Sequence, residues 1–534
     1  MSRQTFGSRG YRVGQDNITP LGLDIHHPVF AISALSIVGF VACTLLFPAQ
    51  AAAFFGWLRP AIASTFDGFL LLAGNLFVVF ALFLTLPPWG RVRLGGPDAR
   101  PDFGRGSWLA MLFAAGMGIG LMYFGVSEPL AHYEAALGGI SAEGGVRTDI
   151  APLGGAAGQP AAARDLAMAA SIFHWGLHPW AIYAVVGLAL AFFGYNHGLP
   201  LTLRSAFHPI LGDGVRGWRG HIIDVAAVFA TLFGLATSLG FGATQALAGF
   251  NFLYGWGTGG LAAVALIGVV TSAAVVSVLR GLDGGIKVLS QVNLLLALGL
   301  MLAIIVAGPT LDIIVTAARG GLAYATELIP LSMPFGRDDE GFSRDWTAFY
   351  WTWWISWSPF VGMFIARVSR GRTVREFVTC VILVPTLLSV VWMAAFGGTA
   401  ISQVMADAAA PVASAAQEVK LFVLAEAFPL RSVLSFAGIV LVLVFFVTSS
   451  DSGSMVIDTI TAGGKTEGIP RTQRVFWATL EGLVASVLLL AGGAEALGAL
   501  QAMTISAGLP FTLVLLALCY STWVGLRAAA RDDG

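Results

Sequence analysis

The chain has 534 residues, of which 57% are hydrophobic and only 11% charged, with a formal net charge of −1 at pH 7. Soluble domains carry roughly 25% charged residues, so a water-soluble globular enzyme is excluded, and the near-zero charge makes no bulk electrostatic case for nucleic acid. Apolar runs near twenty residues recur along the sequence, the pattern of a polytopic helical membrane protein.

Twelve spans are predicted, running Val29–Phe47, Phe66–Leu86, Ser107–Ser127, Ala167–Gly194, Ile222–Phe250 and Leu261–Leu279, then Ile286–Ala307, Trp346–Ala366, Phe377–Phe396, Val433–Thr459, Val475–Ala491 and Leu497–Tyr520. The first run follows a mostly polar stretch, so no signal peptide is expected. The tail before it holds Arg3, Arg9 and Arg12, and that tail together with alternate loops carries 21 of the 29 Lys and Arg residues. The positive-inside rule then places both termini in the cytoplasm. Cys43, Cys380 and Cys519 lie far apart inside apolar runs and read as core thiols rather than as a disulfide framework or metal site.

In span three, Gly116-Met117-Gly118-Ile119-Gly120 follows no strand and fails as a dinucleotide fingerprint. Small residues four apart suit close helix packing. Three glycines in five positions also cost a helix roughly 2–3 kcal/mol against alanine, which suits an unwound segment lining a cavity. Span four holds His174-Trp175-Gly176-Leu177-His178-Pro179-Trp180 and then Tyr183, a group of aromatics beside a proline. The two histidines read as structural donors before a proton relay.

The densest signal is Trp346 to Phe360, where Trp351, Trp353, Trp354 and Trp357 crowd one short segment. On a helix Trp353 and Trp357 share a face, with Tyr350 and Trp354 in the adjacent row. Pro359 is expected to bend or break the helix just beyond. Interfacial belts put one or two tryptophans at a helix end; this crowding points instead to a site where aromatic faces collect a cation. Leu235-Ala236-Thr237-Ser238 in span five and Phe446-Val447-Thr448-Ser449 in span ten echo each other, each in the third helix of a five-helix block. Interrupted helices at corresponding places of two inverted blocks point to a transporter's central site.

The expected organisation is a cytoplasmic tail at 1–28, two peripheral helices with a basic loop at 29–106, and a first block at 107–307. A periplasmic loop with an amphipathic helix at 308–345, a second block at 346–520 and a short cytoplasmic tail at 521–534 complete it. With only fourteen residues after Tyr520, regulation by a long tail is not expected. Gly464-Lys465-Thr466 resembles the end of a phosphate loop, but Thr459 stands where the first glycine belongs. Glu128, Asp451 and Asp458 read as single carboxylates serving span-end hydrogen bonds. No enzyme is expected.

Together, Asp345-Trp346-Thr347-Ala348-Phe349-Tyr350-Trp351-Thr352-Trp353-Trp354, the His174–Tyr183 group, the glycine run and Phe446–Ser454 resemble the betaine/choline/carnitine transporter family across all twelve spans. Ala348 departs from the larger aliphatic usual there. The resemblance implies an all-α, leucine-transporter-like fold of two inverted five-helix repeats after two extra helices, a homotrimer, and a bacterial inner-membrane location. It implies an aromatic box of Trp175, Trp180, Tyr183 and Trp354, with Trp353 and Trp357 on the substrate path beside Gly116, Gly118 and Gly120. For sodium it implies the carbonyls of Ala114, Met117 and Phe445 with the hydroxyls of Thr448 and Ser449. A second sodium position matches at Thr231 and Phe360 but has Leu235 in place of a hydroxyl. No other cofactor is implied. The predicted extents of spans three, four and eight hold no Asp or Glu, which favours a net-neutral onium zwitterion over choline. Proton-coupled choline uptake, carnitine-type exchange and sodium-coupled amino-acid transport stay open as alternatives.

Overall fold

The computed structural model describes residues 12–280, 287–492 and 496–532. Arg3, Arg9, the predicted span start at Ile286 and Asp533 lie outside them. Helices dominate: α1 (His27–Leu46), α2 (Pro48–Leu84), α3 (Arg105–Gly116), α4 (Ile119–Gly138), α5 (Pro160–Trp175), α6 (Leu177–Ala191), α7 (Trp218–Tyr254) and α8 (Gly260–Arg280). They continue with α9 (Lys287–Ala307), α10 (Thr310–Ser332), α11 (Ala348–Val368), α12 (Val374–Met393), α13 (Arg431–Thr461), α14 (Arg471–Gly492) and α15 (Ala496–Asp532). A two-residue antiparallel pair, Ala142–Glu143 with Val146–Arg147, forms the one small sheet among the described residues.

Among the described residues ten helices are long and apolar enough to cross a membrane, and the bent pair of α3 and α4 makes eleven. α11 falls outside that count, its tryptophans, hydroxyl residues and Pro359 lowering its mean hydropathy. It is nearly all buried, so protein rather than lipid surrounds it. The predicted runs overlap the helices with shifted ends, and among the described residues ten or eleven, not twelve, reach membrane-crossing length. The second begins eighteen residues before the predicted Phe66, at Pro48, and the last continues past Tyr520 to Asp532.

Local chemistry explains several ends. Thr373 caps α12 by accepting the Glu376 N–H at 3.2 Å, a Thr-x-x-Glu start. Gly255 closes α7 in the left-handed conformation, φ 70°. α3 and α4 meet at Met117–Gly118 with a 63° bend, so the glycine run is a break and not a packing stripe. Span four is interrupted as well, between Trp175 and Leu177 at Gly176.

Pro359 does not break its helix. α11 runs through it, because the Ile355 carbonyl that loses its N–H partner accepts the Ser358 hydroxyl at 2.7 Å. The second block therefore opens on an unbroken helix, preceded by a π-helical turn at Ser343–Thr347.

α11 sits at the centre, packed against α6, α15, α7 and α2. Glycines admit it on every side. A Cβ on Gly74 of α2 would fall 2.6 Å from Trp351 Nε1, and one on Gly234 of α7 would fall 2.8 Å from Trp357 Cδ1. One on Gly508 of α15 would fall 2.7 Å from the Thr352 carbonyl oxygen, while Gly362 of α11 itself faces Val186 of α6 at 2.6 Å.

Candidate functional site

The break between α3 and α4 opens onto a narrow cavity of about 40 Å³. All nine residues expected on the substrate path line it: Gly116, Gly118, Gly120, Trp175, Trp180, Tyr183, Trp353, Trp354 and Trp357. Met117, Pro179, Val361 and Ser389 complete much of the wall. Four rings follow one another at steep angles. Trp175 meets Trp354 at 4.9 Å and 73°, Trp354 meets Tyr183 at 6.2 Å and 80°, and Tyr183 meets Trp180 at 5.3 Å and 78°. Each ring is thus steep to the next. Trp353 backs Trp354 in a parallel stack, 4.8 Å and 17°, and meets Trp357 edge-on at 6.5 Å.

The glycines make room for these rings. A Cβ on Gly120 would lie 2.7 Å from Trp175 Cη2 and 2.8 Å from Trp353 Cη2. One on Gly116 would lie 3.2 Å from Trp180 Cζ2, whereas Gly118 has open space around it. Two of the indole N–H groups are tied to backbone: Trp354 Nε1 donates to the His174 carbonyl at 2.9 Å, and Trp357 Nε1 to the Gly234 carbonyl at 2.9 Å.

Glu128 is not the isolated carboxylate its sequence neighbours suggested. It lies inside α4, fully buried, and gathers four donors. Its Oε2 accepts Trp175 Nε1 at 2.7 Å and the Tyr350 hydroxyl at 2.5 Å. Its Oε1 meets His174 Nδ1 at 2.7 Å and His132 Nε2 at 3.3 Å. His174 Nε2 then meets the Thr347 hydroxyl at 3.0 Å, so a neutral ring with its proton on Nδ1 satisfies both partners. Glu128, His132 and His174 bring three metal-type donor atoms within 4.8 Å of one another, but the contact lengths are those of shared protons. Because this carboxylate stands directly behind two aromatic rings, the charge argument against a net-cationic substrate does not hold here. His178 has a separate structural role, its Nε2 on Asn75 Oδ1 at 3.0 Å and its ring stacked on Trp351 at 5.0 Å. Asp451 is also buried well inside α13, not at its end, where it accepts the Ser277 hydroxyl at 2.5 Å.

The expected sodium groups are only partly assembled. Met117 lies at the break, its N–H on the Ala114 carbonyl at 3.2 Å. Across on α13, the Thr448 hydroxyl reaches the carbonyls of Val444 at 3.0 Å and Phe445 at 3.2 Å, and accepts Asn293 Nδ2 at 2.9 Å. Ser449 is buried beside it. No hydrogen bond among the described residues joins the two groups. At the second position the Thr231 hydroxyl bonds back to Ala227 at 2.7 Å and Phe360 packs edge-on against Trp357 at 5.4 Å. Leu235 fills the space over Gly453 of α13, where a Cβ would come within 2.2 Å of its Cδ1.

Helices of membrane-crossing length, two of them interrupted beside a buried aromatic cavity, make up a polytopic membrane-protein fold. The family model "BCCT, betaine/carnitine/choline family transporter" matches residues 28–531. A glycine betaine/proline/choline transporter of Vibrio parahaemolyticus is 56% identical over 525 residues, 98% of this chain and 94% of the relative. Glycine betaine transporter 1 of the same organism is 52% identical over 99% of this chain and 98% of its own length. A glycine betaine transporter of Acinetobacter baylyi is 39% identical over 96% and 74%. The chain belongs to the betaine/carnitine/choline transporter family.

Proposed function

We propose that this protein imports a quaternary-ammonium or sulfonium zwitterion such as glycine betaine by sodium symport, holding the onium group between Trp175, Trp180, Tyr183 and Trp354. The observation that carries the reading is the cavity itself, lined by four aromatic rings each steep to the next. A methylated onium has no N–H to donate, so ring faces recognise it where carbonyls cannot. The names of the relatives favour the same substrate class. Choline is the second reading, favoured by the carboxylate of Glu128 behind Trp175 and Tyr350.

Sodium takes its place where α3 unwinds toward α13. A hard cation of this kind takes about six oxygens, and the carbonyls of Ala114, Met117 and Phe445 with the hydroxyls of Thr448 and Ser449 supply most of them. The reading includes twelve spans arranged as two inverted repeats, α3–α9 and α11–α15 with their intervening helices, with α1 and α2 outside. It further includes cytoplasmic termini, a homotrimer and an inner-membrane location. Uptake of labelled glycine betaine, choline and carnitine into proteoliposomes, under a sodium or a proton gradient, tests it. Indifference to sodium with response to the proton gradient overturns the coupling, and no uptake of any onium compound overturns the substrate class.

A further inference from the structure

We propose that Glu128 is the positioning residue of the aromatic cage, setting its rings and their electron density through charge-assisted hydrogen bonds. The inference rests on the cage being the onium site. Three cage connections converge on this one carboxylate. Oε2 accepts the Trp175 indole N–H at 2.7 Å, which fixes the tilt of that ring against Trp354. The same oxygen accepts the Tyr350 hydroxyl at 2.5 Å, and the Tyr350 ring stacks on Trp354 at 5.8 Å and 23°. Oε1 holds His174, whose backbone carbonyl takes the Trp354 indole N–H at 2.9 Å.

Burial makes the arrangement discriminating. Glu128, His174 and Tyr350 have no measurable exposure, and in such surroundings a hydrogen bond to a charged acceptor is stronger than one in water. An ionised carboxylate only accepts, and all four neighbours can donate to it. A glutamine keeps one accepting oxygen and replaces the other with an N–H donor, so it cannot accept from all four neighbours. Donation to an anion also shifts electron density from the N–H toward the ring, and cation attraction depends on that density at the ring face. Glu128 therefore acts on a substrate it does not touch. It sits behind Trp175, outside the residues lining the cavity.

The test uses glycine betaine as probe, read by intrinsic tryptophan fluorescence on purified protein and by uptake into proteoliposomes. Glu128→Gln is expected to raise Kd at least tenfold, with the KM for uptake rising in step. Glu128→Asp keeps the charge but, one methylene shorter, cannot reach both donors of Oε2, and is expected near threefold to fivefold. A folded Glu128→Gln protein with Kd within twofold of wild type overturns the proposal, as does a fall in Vmax with Kd unchanged, the mark of a merely structural role. If Glu128→Gln fails to fold, Glu128→Asp decides, and a wild-type Kd there overturns it. Wild-type protein blind to every onium compound would instead overturn the cage reading and this inference with it.

Discussion

The contact of Gly120 with two indoles gives a sharp test of the cavity, with a neighbouring glycine as control. In Gly120→Ala the new methyl carbon would lie 2.7 Å from Trp175 Cη2 and 2.8 Å from Trp353 Cη2. Carbon atoms pack at about 3.5–4.0 Å, so each ring must retreat by about 1 Å. Overpacking of this size costs about 1–3 kcal/mol. If the rings move, that energy is taken from onium binding, a loss of about fivefold to a hundredfold in affinity at 1.4 kcal/mol per decade. Gly118→Ala adds the same methyl where nothing lies within 4 Å, on backbone at φ −170° that any residue adopts. Fluorescence titration with glycine betaine should show Gly120→Ala weakened at least fivefold and Gly118→Ala within twofold of wild type. Equal affinities for Gly120→Ala and wild type, or the reverse order of the two variants, would refute the packing argument.

Trp354→Ala and Trp180→Ala should each weaken onium binding about tenfold or more, since a desolvated face contributes roughly 1–2 kcal/mol; fluorescence titration of protein still present in the membrane checks this. Thr448→Ala combined with Ser449→Ala should raise the sodium concentration for half-maximal uptake, and unchanged sodium dependence would remove α13 from the ion site. Sodium dependence in the wild type should be shallow, with a Hill coefficient near one, because Leu235 offers no oxygen and one lost ligand is worth about 1.5–3 kcal/mol. Leu235→Thr should steepen it, at some loss of thermal stability from the contact given up over Gly453.

That the site's aromatics line one cavity was partly legible, because several of them are close in sequence. Trp353, Trp354 and Trp357 share one helix, and Trp180 and Tyr183 share another. Trp175 lies across the break at Gly176, and the family resemblance places it with them. The break at Met117–Gly118 was legible from glycine cost. Glu128 was not, since its partners Trp175 and Tyr350 come 47 and 222 residues later and helix spacing says nothing about such pairs. Only His132, four residues on, marked it as more than a span end. The continuity of α11 was misread for a different reason. Proline weakens a helix by freeing a carbonyl, but Ser358 stands immediately before Pro359 and its hydroxyl satisfies that carbonyl, so the serine–proline pair had to be read as a unit.

The glycine contacts around α11 have a mechanical consequence. Gly74, Gly234 and Gly508 receive Trp351, Trp357 and Thr352 from three different neighbouring helices, and Gly362 receives Val186 from a fourth. A rod keyed on four sides cannot turn about its axis or slide by a residue without lifting side chains out of all four seats together. Close-packed interfaces shift between discrete fits rather than deforming smoothly. The four seats therefore fix α11 as one wall of this cavity, and the 63° corner between α3 and α4 is its jointed wall.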